Sequence, residues 1–366
     1  MWAGEGPLVS STTMVELWRK SCCLFKQHSS PGKMNANSSA PAKPKDLAAA
    51  LCAGDRRALA KAITLVESSH AKDEAAAAAL VNFALPHAGR ALRVGLSGAP
   101  GVGKSTFIEA FGTWLTGQGK RVAVLAVDPS SRRSGGSILG DKTRMVKLAQ
   151  EPNAFIRPSP AGATLGGVAR RTRETMLLVE AAGFDVVLVE TVGVGQSETA
   201  VADMVDMFLV LVSPGGGDEL QGIKRGIMEL ADLVVVTKAD GDLLAAANRA
   251  GAEYRAALHL MRPKFEAWAA DVRLVSSTEG KGIAGIWSAI EDFRGRLQAT
   301  GAWERQRREQ NVAWLWSELR EGMLALLTEN QGVKGELARI EADVAKGAAA
   351  PPAAARAILA RWRGKT

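Results

Sequence analysis

Short apolar runs alternate with stretches of helical spacing through the middle of this 366-residue chain. Runs of this length, bounded by glycine or polar residues, predict buried β-strands. They are Arg93 to Leu96, Arg121 to Val127, Asp185 to Val189, Met207 to Val212, Leu233 to Val236 and Val272 to Val275. Strands that alternate with helices predict an α/β fold with a mostly parallel central sheet flanked by helices, in which ligands bind at the carboxyl ends of the strands.

Helical patterns also lie on either side of the alternating region. Asp55 is a candidate N-cap for one helix, and a second helix is expected from Asp73 to Leu85, where Pro86 ends it. These helices predict an N-terminal helical cap on the sheet. Beyond residue 300 two apolar series follow helical spacing, with Gly332 between them. The series are Val312, Leu315, Leu319, Met323 and Leu326, then Val333, Leu337, Ile340 and Val344.

We divide the chain into four segments on these patterns. Residues 1–45 are a tail rich in Ser, Pro and Lys and are expected to be disordered, residues 46–90 a helical segment, residues 91–300 the main α/β domain, and residues 301–366 a C-terminal helical segment. The tail is basic, which leaves a mitochondrial presequence as an alternative. It lacks a clean amphipathic Arg/Leu helix, however, and Met34 could be the true start, so a cytoplasmic location is favoured.

Composition excludes several classes of protein. The net charge of +8 comes from the two ends, because residues 1–45 and residues 351–366 each carry +4 and the residues between them are neutral overall. A nucleic-acid-binding body is therefore not expected. Three cysteines cannot form a disulfide framework, which favours a reducing compartment, and no apolar run reaches the ~20 residues of a membrane-spanning helix.

The first predicted strand is followed by a glycine-rich turn and the start of a helix. Gly98, Gly103, Lys104 and Ser105 fit G-x-x-x-x-G-K-[ST], the phosphate-binding P-loop. Its glycines turn backbone N–H groups toward phosphate, its lysine reaches the β and γ phosphates, and its serine hydroxyl ligates Mg²⁺. The phosphate-binding residues are expected to be Gly98, Ala99, Pro100, Gly101, Val102, Gly103, Lys104, Ser105 and Thr106.

Acidic residues follow the next two strands, at the same edge of the predicted sheet. Asp128 and Asp141 lie in a loop with hydroxyl groups and paired glycines, which predicts a switch that orders around Mg²⁺; Asp128 could instead only cap a turn. Glu190 ends the third run and is placed to hold Mg²⁺, and Gly193 allows a peptide N–H to turn toward a γ-phosphate. We expect Lys104, Asp128 and Glu190 to be catalytic.

The later strands are followed by residues that predict base recognition. Thr237-Lys238-x-Asp240 resembles the Asn-Lys-x-Asp motif of GTPases, in which the carboxylate accepts from guanine N1 and N2; Thr237 replaces the asparagine. Ser276, Ser277 and Thr278 follow the sixth run, where a loop is expected to donate an N–H to guanine O6. A triple-glycine loop, residues 215–217, precedes Asp218 and Lys224 and predicts a second mobile element.

Five motifs in this order resemble the MeaB/ArgK (methylmalonic aciduria type A protein) group of P-loop GTPases. They are GAPGVGKST, DPSSRRSGGSILGDKTRM, ETVGVGQSE, SPGGGDELQGIK and TKAD. The resemblance covers about residues 46 to 345. It implies a homodimer, with the C-terminal helices as a dimerisation arm, that binds GTP and GDP and escorts an adenosylcobalamin-dependent acyl-CoA mutase. It also implies Ser105, Asp128, Asp141 and Glu190 as the Mg²⁺ and γ-phosphate residues.

Two other functions share this fold. A nickel-delivery GTPase would be expected to carry a His-rich tract or a Cys/His motif, whereas the four histidines, His28, His70, His87 and His259, are scattered singly. A P-loop kinase would need a second substrate pocket, for which no further acid or arginine constellation is found. The GTPase chaperone therefore remains the favoured interpretation.

Overall fold

The computed structural model describes residues 43–68, 70–127, 145–158, 165–191, 197–214, 225–329 and 331–363. All of them belong to one compact unit, Lys43–Thr366. Within the described residues no helix is long and apolar enough to cross a membrane.

Seven parallel strands form one sheet in the order β3-β2-β4-β1-β5-β6-β7. They are β1 (Leu92–Gly98), β2 (Val122–Val127), β3 (Ala154–Arg157), β4 (Val186–Thr191), β5 (Met207–Val212), β6 (Leu233–Val236) and β7 (Asp271–Leu274). The six predicted runs are confirmed as strands, four of them with ends shifted by one or two residues and β5 and β6 with the predicted ends. Strand β3 was not predicted, because its four residues at the edge of the sheet are too few to stand out as an apolar run.

Helices cover both faces of the sheet. The described α-helices are α1 (Pro44–Cys52), α2 (Arg56–Val66), α3 (Ala71–Ala84), α4 (Lys104–Gly117), α5 (Val146–Gln150), α6 (Leu165–Ala181), α7 (Ser197–Ala202), α8 (Arg225–Met228), α9 (Leu244–His259), α10 (Ile283–Ala299), α11 (Ala302–Glu329), α12 (Gln331–Ala345) and α13 (Pro351–Arg363). The expected α/β fold with helical N- and C-terminal parts is confirmed, and the described sheet is parallel throughout.

The N-terminal helices begin and end close to the residues that the capping signals predict. The Asp55 carboxylate accepts from the N–H groups of Arg57 (2.7 Å) and Ala58 (3.1 Å), so it caps α2. The Arg56 guanidinium donates to the carbonyls of Pro152 and Ala154, each at 2.6 Å, and so ties α2 to the start of β3. Helix α3 begins at Ala71 rather than Asp73, and Pro86 lies in the 3₁₀ turn Leu85–His87 that follows it.

Two apolar cores lie on opposite faces of the sheet. One includes Leu59 and Ile63 of α2 with the inner side chains of α6, and the other includes Phe107 and Phe111 of α4 with Phe293 of α10. Residues such as Leu188 and Val189, successive on β4, contribute to different cores because side chains alternate across a strand. Burial on both faces explains why the strands read as continuous apolar runs.

The C-terminal helices differ from the expectation in one boundary. The apolar spacing predicts Gly332 between two helices, but Gly332 lies inside α12, which begins at Gln331, while α11 ends at Glu329. Helical hydrogen bonding of the surrounding residues outweighs the modest cost, about 1 kcal/mol, of one glycine in a helix.

Candidate active site

The strand order places the expected phosphate loop at the centre of the sheet. Strand β1 lies between β4 and β5, and the chain crosses from β1 to β2 on one side and later from β4 to β5 on the other. A reversal of strand order of this kind opens a crevice at the carboxyl ends of the strands, where ligands bind in doubly wound sheets. The loop from Ala99 to Gly103 leaves β1 at that point and leads into α4.

The loop conformation depends on two glycines. Gly101 and Gly103 have φ angles of 82° and 99°, in the left-handed region that side-chain-bearing residues rarely adopt. Helix α4 then begins at Lys104, so the first N–H groups of the helix, including those of Ser105 and Thr106, have no acceptor within the helix. Together with the positive end of the helix dipole, these groups suit an anion such as phosphate.

Lys104 lies over the loop that precedes it. Its ammonium donates to the carbonyls of Gly98 (2.7 Å) and Ala99 (3.2 Å). Burial lowers the pKa of Lys104, while the charges of Glu190 and Glu198 act in the opposite direction. The ammonium is thus held at the phosphate side of the loop with two acidic side chains in its surroundings.

Glu190 lies in β4 at the level of Leu96 in β1 and Ala126 in β2. Its side chain is buried, with 8% of the residue exposed. Asp128, Asp141 and Gly193 lie outside the described residues. The structure therefore brings Lys104 and Glu190 together, places Ser105 in the first turn of α4, and gives no position for Asp128, Asp141 or Gly193.

The donor set around Lys104 suits Mg²⁺. A serine hydroxyl in the first turn of α4 and the carboxylate of Glu190 offer hard oxygen ligands, which Mg²⁺ prefers. Within the described ranges no group of three or more His, Cys, Asp or Glu side chains is arranged to hold a metal ion. One or two protein ligands are nevertheless typical of Mg²⁺ bound with a nucleotide, because water and phosphate complete its coordination.

Thr237 connects the expected base-recognition motif to the phosphate loop. Its hydroxyl is within hydrogen-bond distance of the carbonyls of Val102 (2.7 Å) and Val212 (3.0 Å), and its N–H donates to Val212 as well (2.8 Å). Lys238 donates from its ammonium to the Gly101 carbonyl at 2.9 Å and is the non-glycine residue with positive φ, 53°, in the described chain. Both residues of the motif thus contact the phosphate loop directly.

The Asp240 carboxylate is positioned by hydroxyl groups. Its Oδ2 accepts from Ser276 Oγ and from Thr278 Oγ1, the latter at 3.0 Å. These bonds, the one from Ser276 first, lower the pKa of Asp240 and favour its charged form. Residues 276–278 are predicted only as backbone donors, so this side-chain role of Ser276 and Thr278 was not predicted; Ser277 lies beside them, half-buried. The hydroxyl-rich Ser-Ser-Thr run was the available signal.

Comparisons with known proteins agree with the motifs. The model of the family Methylmalonyl Co-A mutase-associated GTPase MeaB matches residues 59–332. The chain is 49% identical over 325 residues to the Methylmalonic aciduria type A homolog, mitochondrial, of Mus musculus, with 86% of this chain and 78% of that protein covered. It is 52% identical over 278 residues to GTPase ArgK of Escherichia coli (strain K12), with 76% and 84% covered.

The fold also matches a solved structure. The crystal structure of a protein described as LAO/AO transport system kinase is 40% identical, has a TM-score of 0.71, and is aligned over 89% of this chain and 100% of its own. That alignment includes the helical ends as well as the sheet.

Proposed function

The chain belongs to the family of methylmalonyl-CoA mutase-associated GTPases MeaB, and we propose that it is the GTP-dependent chaperone of an adenosylcobalamin-dependent acyl-CoA mutase. It is a GTPase with a P-loop fold. The chaperone role is supported by the family description and by a relative named for methylmalonic aciduria. In this role it gates cofactor loading and protects or reactivates the mutase.

One structural observation supports the site assignment above the others: the hydroxyl of Thr237 and the ammonium of Lys238 both bond to carbonyls of the phosphate loop. Those contacts fix the distance between Asp240, which we assign to guanine, and the loop that we assign to phosphate. A single nucleotide can therefore be held at both ends.

Each described side chain then has a defined task. Lys104 stabilises the negative charge of the β and γ phosphates, and the N–H groups at the start of α4 bind phosphate oxygens. Ser105 and Glu190 would hold Mg²⁺ directly or through water, with Asp128 and Asp141 as further candidates. When bound, Mg²⁺ neutralises charge on the phosphates. Asp240, held by Ser276 and Thr278, accepts from the guanine ring.

The mutase partner is tested by titration. Purified adenosylcobalamin-dependent methylmalonyl-CoA mutase is added to GTPase assays, and its affinity for the chain is measured with GDP and with a non-hydrolysable GTP analogue. We expect acceleration of hydrolysis and a nucleotide-dependent affinity, because two linked binding equilibria share one coupling free energy. Lys104→Ala is the control without turnover.

Two outcomes would contradict the chaperone role. A wild-type rate that the mutase leaves unchanged, together with equal affinity in both nucleotides, would leave a GTPase with another partner. Transfer of the γ-phosphoryl group to a small acceptor instead of water would favour a kinase.

Lys224→Ala, outside the described residues, is proposed to blunt acceleration by the mutase while leaving the basal rate intact.

We further propose a homodimer formed through α11. From the middle of this helix onward, apolar side chains are exposed in the single chain, with Leu315 57%, Trp316 61% and Met323 55% exposed. Exposed apolar area of this kind, on one helix, is typical of an interface. Leu319→Glu should shift the protein from dimer to monomer in light scattering, whereas Arg339→Glu on the exposed surface of α12 should not. A wild-type monomer at micromolar concentration would contradict the proposal.

A cytoplasmic location is proposed as well, with the mitochondrial matrix as the alternative that the mouse relative suggests. Fractionation of the source cells followed by immunodetection decides between the two.

A further inference from the structure

Helix α7 carries a fully buried acid that the assignments above do not use. Glu198 has 0% of its surface exposed, and within the described part of the chain neither of its carboxylate oxygens has a hydrogen-bond partner. Removal of an ionised carboxylate from water is unfavourable unless hydrogen bonds or an opposite charge compensate it. Such a group is usually explained by a water molecule, an ion or a functional role.

The packing of α7 shows where this carboxylate lies. A Cβ atom added at Gly95 of β1 would lie 3.1 Å from Cγ1 of Val201, so α7 packs closely on β1 at that residue. Glu198 precedes Val201 by one helical turn. Because a helix between parallel strands runs antiparallel to them, the turn that contains Glu198 lies closer to the carboxyl end of β1, where the phosphate loop begins.

A second buried hydroxyl points to the same region. Ser97 follows Gly95 by two residues and therefore lies on the same face of β1 as the contact with α7. It is fully buried, and among the described residues its hydroxyl has no hydrogen-bond partner; the same is true of Ser197, at the start of α7. The carboxylate of Glu198 and the hydroxyls of Ser97 and Ser197 are therefore buried oxygen atoms without a hydrogen-bond partner among the described residues, and they lie at the end of β1 and the start of α7.

Among the described residues, Lys104 carries a positive charge close to the buried carboxylates of Glu190 and Glu198. The negative charge of Glu190, and next in size that of Glu198, raises the pKa of Lys104 against the effect of burial. The ammonium itself donates to the carbonyls of Gly98 and Ala99. A divalent cation bound beside Lys104 would add positive charge close to both carboxylates.

We propose that Glu198 is a positioning residue for the metal–nucleotide complex, and that its carboxylate accepts hydrogen bonds from water molecules bound to the Mg²⁺ ion. The inference rests on the proposed nucleotide site and adds a residue to it. Mg²⁺ keeps several of its waters when it binds with a nucleotide, and their hydrogens need acceptors. Outer-shell acceptors of this kind orient a metal site, and their loss weakens metal binding about 10- to 100-fold.

A buried acid with this role has a characteristic signature in the free protein. Without metal and nucleotide, no hydrogen bond from the described residues compensates its burial, so it should lower stability; with them it should strengthen binding. A purely structural role predicts the reverse for the free protein, because removal of a structural residue destabilises the fold. The two roles therefore differ in the sign of one measurable shift.

The test uses Glu198→Gln in the full chain, since glutamine has nearly the same shape and no charge. We expect the Tm of the nucleotide-free protein in EDTA to rise by about 2 °C or more. We also expect the ratio of GDP affinities with and without Mg²⁺, measured by calorimetry, to fall about tenfold. Glu253→Gln, on the exposed surface of α9, makes the same charge change and should alter neither quantity.

Glu198→Asp provides a second variant that keeps the charge but shortens the side chain by one methylene. We expect an intermediate loss of the Mg²⁺-dependent affinity. An unchanged affinity ratio in both variants, or a lower Tm of Glu198→Gln in EDTA, would overturn the inference. If wild type itself bound no guanine nucleotide, the proposed function would fail instead, so the two failures are distinguishable.

Discussion

The hydroxyl of Thr237 lies 2.7 Å from the carbonyl oxygen of Val102, although 135 positions separate the two residues in the chain. Val102 belongs to the phosphate loop, and Thr237 begins the segment that carries Asp240. The same hydroxyl is 3.0 Å from the Val212 carbonyl at the end of β5. One small side chain thus joins the two halves of the nucleotide site, and this is the position at which the chain differs from the Asn-Lys-x-Asp pattern.

We expect Thr237→Val to weaken both stability and GTP binding. The substitution keeps the shape but removes the donor, so the buried Val102 carbonyl loses its partner at a cost of about 1–3 kcal/mol. Urea unfolding and GTP calorimetry measure the two effects. Thr237→Ser keeps the hydroxyl and should retain most of both quantities; equal behaviour of the valine and serine variants would show that the hydrogen bond is unimportant.

Asp240→Asn should change nucleotide preference. Its carboxylate is proposed to accept from guanine N1 and N2, and an amide cannot accept both, so GTP affinity should fall by about 1.5–3 kcal/mol. Xanthine offers a carbonyl where guanine has an amino group and should bind the variant better than it binds wild type. Competition between GTP, XTP and ATP measures this. Tight binding of ATP by wild type would contradict the guanine assignment.

Lys104→Ala should abolish turnover, because it removes the positive charge that stabilises the β and γ phosphates. Glu190→Ala should instead act on the steps that depend on Mg²⁺, and we expect the same of Asp128→Ala. Hydrolysis is measured against Mg²⁺ concentration for each variant. If Glu190→Ala and Asp128→Ala kept both the rate and the Mg²⁺ dependence of wild type, the proposed metal site would be wrong.

The ion pair between Arg307 of α11 and Asp206 should contribute strongly to the free energy of unfolding. The Arg307 guanidinium forms a two-pronged ion pair with Asp206, at 2.7 and 2.6 Å, and also donates to the carbonyls of Gly89 and Ala91. Asp206 is fully buried, so Arg307→Met should leave an uncompensated charge and cost about 3–5 kcal/mol. Denaturant unfolding measures the loss.

The double variant Arg307→Met with Asp206→Asn is the control for that experiment. It removes the charge together with its partner and should recover part of the stability. A single variant as stable as wild type would show that α11 is held by its apolar contacts alone, including the buried Trp303.

Stability should also depend on pH through Glu174 of α6. Burial raises the pKa of Glu174 to about 7, Arg170 lowers it, and Glu318 of α11 raises it. A carboxyl group with a raised folded-state pKa contributes stability that is complete below its unfolded value, 4.5, and is lost as pH rises through about 7.

We therefore expect wild type to lose on the order of 2 kcal/mol between pH 4.5 and 7.5 that Glu174→Gln does not lose. Urea unfolding of both proteins across this range measures the difference. Parallel pH profiles would show that Glu174 keeps an ordinary pKa in the folded protein.

The strands, the helix caps and the P-loop of this protein could be predicted from the sequence alone. Buried parallel strands must be apolar on both faces, so their positions are visible as continuous runs. Among the described strands only β3 was not predicted, because it has four residues and lies half-buried at the edge of the sheet. Helix signals were local as well: Asp55 caps α2 with its own side chain. The P-loop could be recognised because its phosphate-binding geometry depends on glycines and a lysine at fixed spacing within one short segment.

Only the tertiary structure determined which segments distant in the chain contact one another. No local pattern could show that Ser276 and Thr278 hold the Asp240 carboxylate, or that Thr237 bonds to the phosphate loop, because those partners meet only when the sheet brings its carboxyl ends together. The burial of Glu198 was equally hidden, since a glutamate after a glycine-rich loop is typical of a solvated helix start. Periodicity records which face of an element is apolar, whereas the packing of α7 on β1 decides which charge is removed from water.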